Sequence, residues 1–224
     1  MKKIGLLCLA LVLALGALGV GYAHWTDTVY INQIVETGSV QVGVMGVATD
    51  PVEYEEKDVA NVTVTHDTFK FVKEIEETDL HSGSLIDAGY YDFFESVTVN
   101  ITNMYPSFTV LEDFYIGNAG SIPVKLDVNI VVDDPDGVYD NLTITWHVDY
   151  NGALIDGGSG MATVLGAVGE LDKIVNTLEG LQLHECDVVA IWIDKHLEQS
   201  APQGKSASFT MTVGAVQWNL YGQP

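Results

Sequence analysis

The chain has 224 residues, of which nine are basic and 31 acidic, for a formal charge of −22 at pH 7. A surface this negative repels phosphate, which excludes nucleic acid as a partner and disfavours contact with anionic lipid. With only Cys8 and Cys186 to pair, a disulfide scaffold is excluded as well.

The first element is Met1-Lys2-Lys3, then an uncharged apolar run from Ile4 to Val20, then Gly21-Tyr22-Ala23 with small residues at the −3 and −1 positions of a cut. This layout predicts a secretory signal over residues 1–23, removed by signal peptidase, so the membrane is met only in transit and the product is extracellular or at the cell surface. An uncleaved anchor is the alternative, because the run approaches the roughly 20 residues that a spanning helix needs. Cleavage leaves 224 − 23 = 201 residues, enough for one large β-sandwich domain, with a charge of 7 − 31 = −24. Cys8 leaves with the signal, and Cys186 is then alone, expected as a buried small hydrophobe without a disulfide partner.

Residues 24–44 read as one or two strands broken at Gly38. Trp25, Val29, Ile31 and Val35 share one face and Tyr30 and Ile34 the other; beyond the break, Val40, Val42 and Val44 alternate with Gln41 and Gly43. The Glu-rich stretch Tyr54 to Asp58 is a solvated connection. Alternation returns from Val59 to Ile75, and predicts two strands joined near His66-Asp67. Glu74 to Glu95, with Tyr90-Tyr91-Asp92-Phe93-Phe94, reads as a long loop with a short helix, a lid over a sandwich edge in preference to a binding site.

Three strands follow at residues 96–103, 108–116 and 122–132, separated by turns at Tyr105-Pro106-Ser107 and Asn118-Ala119-Gly120-Ser121. Asp133-Asp134-Pro135-Asp136-Gly137 is a turn by composition. Asp133, Asp134 and Asp136 could also contribute to a Ca²⁺ site, but their spacing lacks the full calcium-loop pattern and the turn is favoured. Leu142, Ile144, Trp146 and Val148 mark a further strand that ends at Asn151-Gly152, and Gly157-Gly158-Ser159-Gly160 reads as a loop. From Met161 to Leu181 apolar residues recur at steps of three and four, which predicts one helix, firmest over Glu170 to Leu178, capping a face or end of the sandwich. The last strands are 187–193, apolar enough to be buried on both faces, and 206–218. The total is nine or ten strands with one inserted helix, an all-β antiparallel sandwich.

Chemistry is sparse. The six histidines, His24, His66, His81, His147, His184 and His196, contain no pair four apart with the glutamate of a zinc protease. Gly157-Gly158-Ser159-Gly160-Met161 lacks the last glycine of a nucleophile elbow. No catalytic residue is assigned and the chain is not expected to be an enzyme; no cofactor is implied beyond Ca²⁺. Asn61-Val62-Thr63, Asn100-Ile101-Thr102 and Asn141-Leu142-Thr143 are glycosylation sequons whose asparagines lie beside predicted strands with apolar inward positions.

Several stretches resemble one family. Ala23-His24-Trp25-Thr26-Asp27-Thr28 and Glu36-Thr37-Gly38-Ser39-Val40-Gln41-Val42 are similar to the start of TasA and camelysin-type exported proteins. Tyr105-Pro106, followed by Phe114 to Leu126 with its Asn118-Ala119-Gly120-Ser121 turn, resembles their central block, and Gln203 to Thr210 with Ala215-Val216-Gln217-Trp218 their end. Ser107 stands where the family usually has Gly, and the helix around Leu171 and the loop around Tyr91 look like insertions.

The resemblance implies a jelly-roll sandwich, residues 38–224, that polymerises head to tail into an extracellular fibre, as in biofilm-matrix filaments and archaeal bundling pili. It also implies that residues 24–37 act as a donor strand through Trp25, Val29, Tyr30, Ile31, Ile34 and Val35, with Glu36, Thr37 and Gly38 as the hinge. Two rivals stand beside it: a secreted camelysin-type metalloprotease drawing on His184 or His196, and a monomeric acidic surface or ligand-binding domain.

Overall fold

The computed structural model describes residues 38–49, 60–160, 164–199, 201 and 203–218, which belong to a compact unit spanning Gly38–Pro224. The expected signal and the donor-strand residues Trp25, Val29, Tyr30, Ile31, Ile34 and Val35, with Glu36 and Thr37 of the hinge, lie outside the described residues.

Ten strands form in chain order: β1 (Val42–Ala48), β2 (Asn61–Ile75), β3 (Gly89–Met104), β4 (Thr109–Asn118), β5 (Val124–Asp133), β6 (Leu142–Tyr150), β7 (Ala153–Gly160), β8 (Gln182–Leu183), β9 (Val188–Leu197) and β10 (Lys205–Gln217). The single described α-helix, α1, spans Val164–Glu179. Every pairing is antiparallel, in the order β7-β6-β9-β4-β1-β3-β10-β5-β8, with β2 paired to β3 off that path. The fold is therefore the expected all-β sandwich with one helix, and its two halves are continuous. β1 pairs along its whole length with β4 and touches β3 only at Val44↔Phe94, so the sheet curls about β1 into a half-barrel.

Period-two patterning decides which side chains enter the barrel. Val97, Val99 and Ile101 of β3, Leu126 and Val128 of β5, Ile144, Trp146 and Val148 of β6, and Phe209, Met211 and Val213 of β10 converge in one buried cluster. α1 packs against β5 and β6, strands from opposite halves, and places Ala167, Leu171, Ile174 and Leu178 over the open side of that cluster. The outer face of the central strands is covered too. Met45, Tyr115, Val188 and Ala190 pack there under Phe71, Ile75 and Phe93, which is why β9 is apolar from Val188 to Ile193.

Three elements differ from expectation. Residues 61–75 form one strand, bent by an irregularity between Phe69 and Phe71 and by the positive φ of Thr68 (55°), where a hairpin at His66-Asp67 was predicted. The aromatic stretch Tyr90–Phe94 belongs to β3, leaving residues 76–88 as the loop, with a single 3₁₀ turn at Glu77–Asp79. Gly157–Gly160, expected as a loop, continues β7, because β6 supplies a partner for each of them from His147 back to Ile144. Within the described residues no helix is long and apolar enough to cross a membrane.

Candidate functional site

Gly38 is where the expected donor segment would leave the described domain, and the backbone there is tightly held. A Cβ on Gly38 would lie 2.0 Å from Ile122 Cγ2, and one on Gly120 would lie 2.3 Å from Ser39 O, so both positions need glycine. Ser121 Oγ accepts from Ser39 N–H at 3.0 Å, and Ala119 N–H donates to Gln41 O at 2.8 Å. The turn carrying these contacts is itself locked by Asn118. Its Oδ1 accepts from Gly120 N–H at 2.9 Å, and its Nδ2 donates to Ile122 O and His184 O, each at 3.1 Å. The Asn118-Ala119-Gly120-Ser121 motif thus clamps residues 38–41.

Edges of the sheet are the second feature. Among the described residues β2 pairs only with β3 and β7 only with β6. β2 carries the usual guards of an edge, Lys70 and Lys73 and an irregular bend. β7, ALIDGGSG, carries no lysine and no proline, and Leu154 and Ile155 are 68% and 42% exposed.

The third feature lies on the outer face of β6, β9 and β4. The ladder places His147, Trp192 and Asp113 in one row across the three strands and Asp149, Ala190 and Tyr115 in the next. His147 stacks on Trp192 with ring centroids 5.0 Å apart. The loop after the 3₁₀ turn brings His81 onto this grid, edge-on to His147 at 5.0 Å and with Nε2 3.6 Å from Asp113 Oδ1. Leu85 N–H donates to Asp113 Oδ2 at 2.7 Å, Tyr115 hydroxyl does so at 3.1 Å, and Ser84 Oγ bonds that hydroxyl in turn. Burial pushes the His147 imidazole below its ordinary value.

The remaining predicted residues have other neighbours. Asp134 accepts from Val138 N–H (2.7 Å) and Tyr139 N–H (2.9 Å) and so holds its own turn, and Asp136 accepts from Ser206 N–H (3.1 Å) and so ties that turn to the start of β10. Asp133 ends β5, opposite Ser208. Of the sequons, Asn61 is exposed at the start of β2, Asn100 faces outward between the buried Val99 and Ile101, and Asn141 donates to Gly137 O at 3.3 Å. His184 sits in an exposed turn against Asp187, and Cys186 in that turn is exposed, not buried as expected; His196 bonds Thr109 on β4, and neither histidine joins the group formed by His81, His147 and Asp149. The sequence carried half of that group's signal, since His147 and Asp149 are two apart on one strand. His81 is 66 positions upstream, and only the loop packing brings it in.

No protein-family model and no characterised protein matches the chain.

Proposed function

We propose that the chain is the structural subunit of an extracellular filament, assembled head to tail when residues 24–37 of one subunit add as a strand to an open sheet edge of the next. The observation that carries this reading is the edge of β7, without a second partner among the described residues and without lysine or proline, with Leu154 and Ile155 in solvent beside it. An added strand gains a row of backbone hydrogen bonds along such an edge, and its alternate side chains cover the exposed apolar pair. Donor and acceptor surfaces differ, so the contact repeats without closing and yields a fibre. The clamp at Gly38 supports the same reading, because a segment handed to a neighbour must leave its own domain at a fixed point.

Two changes to the mature chain test it. Deleting residues 24–33 removes the donor, and the pair Leu154→Lys and Ile155→Lys guards the acceptor edge at positions already solvated in the subunit. Each is expected to give a folded monomer by light scattering and no filaments by negative-stain electron microscopy. Filaments of ordinary length from both variants would refute the assembly mode.

A further inference from the structure

Buried polar atoms that lack a hydrogen-bond partner are rare in folded proteins, and each costs about 1–3 kcal/mol. Here they are concentrated: Nδ1 and Nε2 of His81, Oδ1 of Asp113 and Oδ1 of Asp149 are four of the five such side-chain atoms among the described residues. The side chains are 4% (His81), 0% (Asp113) and 6% (Asp149) exposed, with His81 beside Asp113 and Asp149 beside His147. One ring nitrogen from each of His81 and His147 and one oxygen of Asp149 lie within 4.8 Å of one another.

We infer that His81, His147 and Asp149 form a binding site for a first-row divalent transition cation such as Zn²⁺, which clamps the 76–88 loop onto the sheet. Two imidazoles and a carboxylate suit such an ion, whereas Ca²⁺ and Mg²⁺ prefer oxygen alone. Ligands around a tetrahedral ion with bonds of about 2.0–2.1 Å stand about 3.3 Å apart, so the group closes by at most about 1.5 Å. His147 Nε2 and Asp149 Oδ2 are already 3.9 Å apart, and the 27% exposure of His147 gives an ion a way in.

Charge points the same way. Two carboxylates, Asp113 and Asp149, are buried beside two imidazoles with no lysine in the group, and a divalent ion offsets them. Asp113 is a positioning residue. His81 Nε2 stands 3.6 Å from Asp113 Oδ1, so with Nδ1 on an ion a small closure would let Nε2–H donate to that carboxylate, the carboxylate-histidine-metal arrangement in which the second partner fixes the tautomer. The fold has a use for the clamp. Residues 76–88 cover the outer cluster through Leu80 and Ile86, and no disulfide can hold them, since Cys186 is the only cysteine in the described domain.

The test is titration of chelator-treated mature chain with Zn²⁺ alone, read by competition with a chromophoric chelator, alongside hydrogen exchange of residues 80–88. One ion per chain is expected, with slower exchange in that loop when it is bound. His147→Ala and Asp149→Asn should each weaken binding more than about 100-fold, Asp113→Asn about 10- to 100-fold, and His184→Ala not at all. His147→Ala changes a partly exposed side chain, so circular dichroism should report an unchanged fold for it. Absence of stoichiometric binding overturns the inference, as does equal affinity in His147→Ala and Asp149→Asn, or binding that leaves exchange at 80–88 unaltered.

Discussion

Lys195 and Glu112 form an ion pair inside the barrel with both side chains 0% exposed, the ammonium 2.7 Å from one carboxylate oxygen and 2.8 Å from the other. They are diagonal neighbours on the inward faces of β9 and β4, and Lys195 Nζ also lies 4.2 Å from the Phe209 ring centroid. At an effective dielectric of about 20 the attraction at this distance is roughly 6 kcal/mol, against a desolvation cost of several kcal/mol for each ion. The net worth of the pair is therefore small while the cost of breaking it is large. Burial pushes the Glu112 carboxyl up despite the neighbouring ammonium, and the Lys195 ammonium is held above its ordinary value, its own desolvation outweighed by Glu112 and Tyr139 together. Lys195→Met keeps the stem and the Phe209 contact but strands the carboxylate, and is expected to cost about 3–5 kcal/mol. The double change Lys195→Met with Glu112→Leu removes both charges, and should return to within about 2 kcal/mol of wild type or exceed it. Equilibrium urea unfolding of the mature chain at pH 7, as a double-mutant cycle, measures both. A single variant within about 1 kcal/mol of wild type, or a double variant as unstable as the sum of its singles, would refute the reasoning.

Two further outcomes concern the helix and acid. Ile174→Ala empties a fully buried position on the inner face of α1 and should cost about 2–5 kcal/mol in the same assay, whereas Leu154→Ala at the exposed edge should stay within about 0.5 kcal/mol. Burial raises the Glu170 carboxyl, but Lys173 and the Trp146 indole N–H outweigh it and hold it below its ordinary 4.5. A carboxyl lowered by folding stabilises above its unfolded value, and that stability is lost as the pH falls through the lower folded one. The stability difference between wild type and Glu170→Gln should therefore be constant from pH 7 to about 5 and shrink below about 4.5. General charge repulsion cancels in that difference. A gap that widens on acidification would show the sign to be wrong.

Much of the fold was legible because burial on one face writes itself as alternation. Val97, Val99 and Ile101, or Leu142 to Val148, could hardly be anything but strands with an inner face, and the apolar steps from Val164 to Leu178 specify a helix stripe. Gly157–Gly160 was not legible, since glycines carry no side-chain pattern and became a strand only through pairing with β6. Nor was the single bent β2, whose polar midsection at His66-Asp67 imitates a turn in sequence while β3 pairs straight past it.

For the sites the division is similar. By itself the sequence determined an acidic, all-β domain without a disulfide, and the Asn118-Ala119-Gly120-Ser121 motif, because local composition and period-two spacing are enough for those. Tertiary structure alone decided that this motif clamps Gly38, that β7 has no second partner among the described residues, and that His81 meets His147, Asp149 and Asp113. Each of these depends on segments far apart in the chain, whose approach is set by sheet register and by the packing of the 76–88 loop, and neither quantity is encoded in any local stretch.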